Sequence, residues 1–410
     1  METTSAPAAA QAPHISGKRP PSAQPGVSQA AAVSSGLRPS TLGERVGRPA
    51  KLWLPKRVFI TAAAAEEAHG RRILARLEAL GAEVTRLKTN RLPPLTKGLE
   101  PRAAYRAAKD TLAIVNAPAG QLKLQPIPPS ADYQFHLAKG CPAHCQYCYL
   151  AGSLPGAPIT RVYANLDAIL DNVAAYAARG TATLKRRPAD AHRHPEGLTF
   201  EASCYTDPLG LEHLTGSLST AISAFAKTPG ARLRWVTKYD NVDPLIGLEH
   251  GGRTRCRVSL NAALIARRLE GGTADLPARL HALRRLALPR AQGGGGYPVG
   301  AVLAPLMPFP QWRTAYAEML DGLERALDFA SADCTFELIT HRFTPGSKQV
   351  LLDWYPATKL DMDESRRSEK RNKFGGKKYV YDKQQMLELK GWFGEEIDAR
   401  FGPGKLLYFT

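Results

Sequence analysis

Gly140-Cys141-Pro142-Ala143-His144-Cys145-Gln146-Tyr147-Cys148-Tyr149-Leu150 sets three thiols on one short loop, with three residues between the first two and two between the last two. Three thiolates can hold three irons of a cubane 4Fe-4S cluster. The fourth iron then stays open to an exogenous ligand, as a cluster requires if it is to bind and reduce a substrate rather than only relay electrons. Zinc is the rival reading. A structural zinc site takes four Cys or His ligands, and His144 or His136 would have to complete it. Such sites draw their ligands as two separated pairs, and no second pair follows this one.

The segments on either side of the loop define the architecture. From about residue 132 onward, short apolar strands alternate with amphipathic helices: strand-like 197–202, helical 211–226, strand-like 232–237 and 255–260, helical 276–286, then the glycine turn 293–296 and the apolar strand 299–306. Such alternation predicts parallel strands joined by helical crossovers, hence an α/β fold built as a full or partial (β/α) barrel. Upstream, residues 52–60 read as a strand, 61–80 as a helix ended by Gly81, and 83–87 and 112–115 as further strands. The expected organisation is a disordered Ala/Pro/Ser-rich tail over 1–50, a small α/β region over 51–130, the barrel over 131–345, and a basic hairpin with a helix segment over 346–410.

Six cysteines in 410 residues are too few for a secreted disulfide framework, so a reducing cytoplasm is expected. Cys256 and Cys334 lie in half-apolar strand settings and read as core residues. His213, His250 and His341 form no metal-ligand spacing and take no role. The sequence holds no run of 18 apolar residues, which excludes a membrane-spanning helix. Fifty-five Lys and Arg against 37 Asp and Glu leave a net charge of +18, which favours a polyanionic partner such as nucleic acid.

The cysteine spacing is that of the radical S-adenosylmethionine (SAM) superfamily, and from about Lys56 onward the chain resembles the spore photoproduct lyase family. The likeness rests on the cluster loop with Tyr147 and Tyr149, on Phe200-Glu201-Ala202-Ser203-Cys204-Tyr205-Thr206-Asp207, Val236-Thr237-Lys238-Tyr239 and Gly296-Tyr297-Pro298-Val299-Gly300, and on Ile339-Thr340-His341-Arg342-Phe343. It implies a radical SAM barrel whose cluster loop follows a first strand near 133–137. It also implies that the cluster on Cys141, Cys145 and Cys148 binds SAM and cleaves it to a 5'-deoxyadenosyl radical, and that a thymine dimer linked through a methylene bridge is the substrate.

The resemblance further makes Cys204 the hydrogen-atom donor to the thymine radical, and Tyr147 and Tyr149 the residues that return the radical toward the adenosyl group. Thr206, standing where the family has serine, would contact SAM together with Lys238 and Ser259. Glu201 either orients the ligand or pairs with a nearby arginine. The partners implied are double-stranded DNA carrying the lesion and an electron donor such as a flavodoxin or ferredoxin. A lesion buried in a stacked duplex must be extruded to be reached, and the basic stretch containing Arg366, Arg367, Lys370, Arg371, Lys373, Phe374, Lys377 and Lys378 has the composition of a wedge hairpin for that step. Lys373 and Phe374 stand where the family has Arg-Tyr, a change that keeps charge and stacking face but loses the guanidinium fork and the hydroxyl. Two rivals remain: a diverged radical SAM enzyme acting on another nucleic-acid or small substrate, and a non-catalytic zinc protein that binds nucleic acid.

Overall fold

A near-continuous apolar run such as Val-Gly-Ala-Val-Leu-Ala-Pro-Leu is stable as a strand only where both its faces are covered, and helical crossovers supply that cover. In the computed structural model, which describes residues 46–154, 156–180, 197–330, 332–371 and 375–410, this run is an interior strand of a large sheet. Strands are numbered in chain order. The large sheet holds β4 (Gln125–Ile127), β5 (Ala131–Phe135), β9 (Leu198–Ala202), β10 (Ala231–Thr237), β11 (Thr254–Leu260), β13 (Val299–Leu306), β14 (Cys334–Thr340) and β17 (Leu406–Phe409), in the order β17-β14-β13-β11-β10-β9-β5-β4. Every pairing is parallel except β4 with β5. The sheet curls into a partial barrel, as the alternation of elements predicts.

A smaller sheet has the order β2-β1-β3-β8-β6, from β1 (Arg57–Ile60), β2 (Val84–Arg86), β3 (Thr111–Val115), β6 (Ala138–Lys139) and β8 (Thr160–Tyr163). Two ribbons complete the set: β7 (His144–Cys145) with β12 (Glu270–Gly271), and β15 (Ser368–Arg371) with β16 (Lys377–Val380). The two larger sheets are interleaved in sequence. β4 belongs to the barrel although it precedes residue 131, while β6 and β8 pair with the upstream sheet although they follow β5, the first parallel strand of the barrel. A division at 130/131 therefore separates neither sheet, and β17 carries the segment after 345 back into the barrel.

Other expectations are corrected in detail. Residues 1–45 of the anticipated tail lie outside the described residues, but 46–50 are fastened: the Arg48 amide donates to Asp275 Oδ2 at 2.7 Å and the Ala50 amide to Asp240 Oδ1 at 2.9 Å. The strand expected from 52 starts at Arg57, because the Trp53 indole instead donates to the Lys109 carbonyl at 3.0 Å. The helix expected over 61–80 breaks at Glu67, whose extended backbone separates Ala62–Glu66 from Ala68–Ala79. Among the described residues no helix is long and apolar enough to cross a membrane.

Outside the barrel sheet the packing is aromatic and aliphatic. Phe225, on the helix Ser217–Lys227, lies 5.7 Å from both Phe135 and Phe200, ring centre to ring centre. Truncating such a buried ring to alanine costs about 3–5 kcal/mol. Cys256 and Cys334 are buried in this core, as expected. The barrel interior is ionic instead. Arg257 bridges Glu201 and Glu337, Arg234 also binds Glu337, and the Tyr408 hydroxyl donates to Glu337 Oε2 at 2.5 Å. Burial alone would raise the Glu337 pKa, but Arg257 and Arg234 override it and hold the carboxyl at about 2. Glu201 thus has an arginine partner, and the network ties β9, β10, β11, β14 and β17 together.

Candidate active site at the mouth of the barrel

The cluster loop leaves β6 through Gly140, whose φ of 82° favours glycine. A Cβ there would lie 2.5 Å from the Ile159 carbonyl oxygen and 2.8 Å from Thr160 Cα. Only a residue without a side chain can leave the sheet this close to its neighbour. Beyond it, Lys109 at the end of the helix Pro101–Lys109 is buried, and its Nζ donates to the carbonyls of Cys141 and Ala143. Further along the loop, Glu270 pairs with Cys145 and Gly271 with His144 across the short ribbon. The Gln146 amide donates to the Leu269 carbonyl at 2.8 Å, and Thr358 Oγ1 to Gln146 Oε1 at 2.6 Å.

Two features bear on whether a cluster fits. All three thiols are half-buried, and burial raises each pKa, that of Cys141 to about 11 against the pull of Lys109. Metal binding to such thiols displaces their protons. Lys109 pairs with no carboxylate among the described residues, and a buried ammonium left uncompensated is costly; a cluster on three thiolates carries the negative charge that balances it. Among the described residues no three His, Cys, Asp or Glu side chains converge closely enough to hold one metal ion. A cubane presents separate iron corners, so its thiolates need not meet at one point. The donor set fits a cubane.

The chain turns sharply at the end of β9. Ser203 adopts φ 60°, a left-handed conformation rare outside glycine. It is held there by its amide, which donates to the Phe135 carbonyl at 2.7 Å, and by its Oγ, which accepts from the Leu137 amide at 2.9 Å. The turn presents Cys204 at the barrel mouth. Burial, and then the Glu201 carboxylate, push the Cys204 thiol well above its usual pKa, with Arg257 opposing. At neutral pH the residue therefore carries S–H, the form that can give up a hydrogen atom.

Next to it, the hydroxyl oxygen of Thr206 is buried and makes no hydrogen bond. Asp207 fastens the β9 and β10 ends together by accepting from the Lys238 amide at 2.7 Å and Thr237 Oγ1 at 2.8 Å. Lys238 Nζ donates to Ser259 Oγ at 2.9 Å and sits 5.7 Å above the Tyr147 ring. The Tyr147 phenol donates to Glu270, which is paired with the buried Arg279. Tyr149 is 57% exposed, lies beside Tyr205 at 6.2 Å, and is within electrostatic reach of Cys204.

The three cysteines, Tyr147, Tyr149, Cys204, Thr206, Lys238 and Ser259 thus gather around one end of the barrel. Residues 53–410 match the family model described as spore photoproduct lyase. The chain belongs to the spore photoproduct lyase family. Spore photoproduct lyase from a Geobacillus species is 37% identical over 361 residues, covering 88% of this chain and all of the relative. That of Bacillus subtilis is 35% identical over 359 residues, covering 87% and 99%. Among solved structures, a spore photoproduct lyase complexed with dinucleoside spore photoproduct superposes with a TM-score of 0.77 at 36% identity, covering 88% of this chain and 100% of the other. A mutant of spore photoproduct lyase with bound AdoMet and the same dinucleoside gives the same score, identity and coverage. As a spore photoproduct lyase family member, the chain is a radical SAM lyase that works with SAM and a 4Fe-4S cluster.

Not every candidate residue joins the spore photoproduct lyase site. Lys373 and Phe374 lie outside the described residues. Lys377 pairs with Glu369 at 3.0 Å, while Lys378 stands opposite Lys370 on the hairpin. Two arginines of the expected wedge are structural: Arg366 pairs with Asp361 at 2.7 Å, and Arg367 lies 3.9 Å over the Tyr381 ring. The sequence reading missed Lys109, Asp207, Glu270 and Arg279. Lys109 left a signal, since it sits one helical turn after the buried Tyr105 on the apolar face. Glu270 left none.

Proposed function

We propose that this chain repairs the methylene-bridged thymine dimer in double-stranded DNA, with Cys204 as hydrogen-atom donor. The observation that carries the reading is the left-handed turn at Ser203, which sets Cys204 near Tyr149 and the cysteine loop, where burial favours its S–H form. The solved relatives bound to AdoMet and to dinucleoside spore photoproduct support it.

Cys141, Cys145 and Cys148 would hold the cluster, which together with SAM would supply the adenosyl-radical chemistry that removes a hydrogen atom from the lesion. The chain's own groups do the rest. Thr206 Oγ1, Lys238 Nζ and Ser259 Oγ offer hydrogen bonds to the amine and carboxylate of the cofactor. Once the bridge has broken, the Cys204 S–H gives its hydrogen to the thymine radical, and the thiyl left behind takes one from the Tyr149 phenol. Tyr147, with its ring under Lys238 and its phenol on Glu270, and Tyr149 would pass the radical back toward the adenosyl group, so that SAM is regenerated. Lys377 and Lys378 on the hairpin, together with Lys373 and Phe374, grip the duplex. A small electron carrier such as a flavodoxin or ferredoxin reduces the cluster in the cytoplasm.

Anaerobic reconstitution, reduction and incubation with dinucleoside spore photoproduct test the reading by chromatography. Thymidine should form without matching loss of SAM, and Cys204→Ala should consume SAM with each turnover. An unchanged lesion peak beside an intact cluster would overturn the assignment.

A further inference from the structure

The hairpin of β15 and β16 leans on the start of the long helix Lys383–Phe401, and a groove of about 320 Å³ lies between them. The helix contributes Lys383, Met386, Leu387 and Lys390 to it, at i, i+3, i+4 and i+7, so the four share one face. The two lysines are about 10 Å apart along the helix axis. Between them lies an apolar bed, and Leu387, at 60%, is the most exposed of the large hydrophobic side chains described. Lys370 and Tyr381 close the groove from the hairpin side.

The charges here are unbalanced in a way those around them are not. Lys377 has Glu369, Arg366 has Asp361, Lys348 has Glu364 and Arg313 has Glu388. Lys370, Lys383 and Lys390 pair with no carboxylate among the described residues. Lys370 also faces Lys378 directly across the hairpin, with Arg342 close enough to act on the Lys378 ammonium. Like charges set opposite each other on a ribbon are destabilising. An arrangement of cations spaced along a groove and separated by apolar surface suits a polyanion whose charges are separated by apolar units.

We propose that this groove holds the sugar-phosphate backbone of the duplex beside the lesion, with Lys383 and Lys390 on phosphates and deoxyribose against Met386 and Leu387. The inference rests on the duplex substrate proposed above and assigns to it a surface outside the barrel mouth. Backbone contact of this kind supplies affinity without sequence preference and is salt-dependent.

The test is fluorescence anisotropy with lesion-free duplex DNA across a salt series, comparing wild type with Lys383→Ala/Lys390→Ala. The slope of log affinity against log salt should flatten by about two, at about 0.9 per lost phosphate contact, with affinity down about tenfold at 0.1 M salt. Lys383→Arg/Lys390→Arg should keep the wild-type slope, which guards against misfolding as the cause. Repair of dinucleoside spore photoproduct, which has no flanking backbone, should be unaffected in the alanine variant while repair in duplex falls. An unchanged slope and affinity in the alanine variant overturns the groove assignment, as does polyglutamate competing as well as duplex. If wild type leaves the dinucleoside lesion intact, the repair reading fails, and the salt slopes judge the groove separately.

Discussion

A buried hydroxyl with no partner, such as that of Thr206, costs about 1–3 kcal/mol unless something binds it. If SAM is that partner, Thr206→Val should leave folding stability unchanged or raise it, while weakening SAM binding about threefold to tenfold in calorimetric titration. Thr206→Ser should restore the affinity. Gly140→Ala should act differently: the strained left-handed backbone and the 2.5 Å approach to the Ile159 carbonyl should displace the loop and lower iron content after reconstitution. At this scale the sequence was readable where the chemistry is local. The spacing of Cys141, Cys145 and Cys148 points to a cluster within eight residues, and the donor role proposed for Cys204 comes from family likeness. Lys109 and Glu270 were not readable, because each acts on a partner far along the chain, 32 residues away for Cys141 and 123 for Tyr147.

Among the elements, the helix Pro101–Lys109 is the part of the smaller sheet's layer that holds the cluster loop. Lys109→Met strips donors from two loop carbonyls, so reconstituted protein should bind less iron and absorb less near 400 nm, whereas Lys109→Arg should retain part of both. The ionic layer inside the barrel is a second test. Removing one member leaves buried charges unpaired, so Arg257→Leu should cost about 3–5 kcal/mol in denaturant unfolding, and the joint replacement of Arg257, Glu201 and Glu337 by apolar residues should cost less than the single change. The barrel strands were legible because runs such as Val299–Leu306 are apolar on both faces, and the helix Leu276–Ala287 was legible through its apolar stripe. The short strands β6 and β8 were not. Two to four residues carry too little pattern, and their membership in the upstream sheet is decided by tertiary contact.

For the whole molecule, acid sensitivity follows from histidines folded inside it. Burial, reinforced by Arg72, lowers the His69 pKa to about 4, and burial with Arg367 lowers that of His341 to about 3. Both are depressed below the unfolded value near 6.5, so the stability they confer is present above that pH and drains away as pH falls toward 4 and 3. Each should account for about 1.5–2 kcal/mol lost between pH 7 and 5. His69→Gln should therefore show a shallower decline than wild type over that interval, measured by denaturant melts at each pH. Glu337, held at about 2, adds its own loss only below about pH 4.5.

The interleaving of the two sheets has a consequence that can be seen by eye. Because the thiol-bearing loop is tethered at one end through β6 and at the other through β8, the neighbouring layer shares with the barrel the task of positioning it. A barrel excised at residue 131 would hold its sulfurs only by the middle of the loop, through the ribbon of β7 and β12, with both ends loose. In the intact protein, melting of that neighbouring layer should bleach the brown solution at the same temperature, making loss of colour a direct gauge of how cooperatively the two layers come apart.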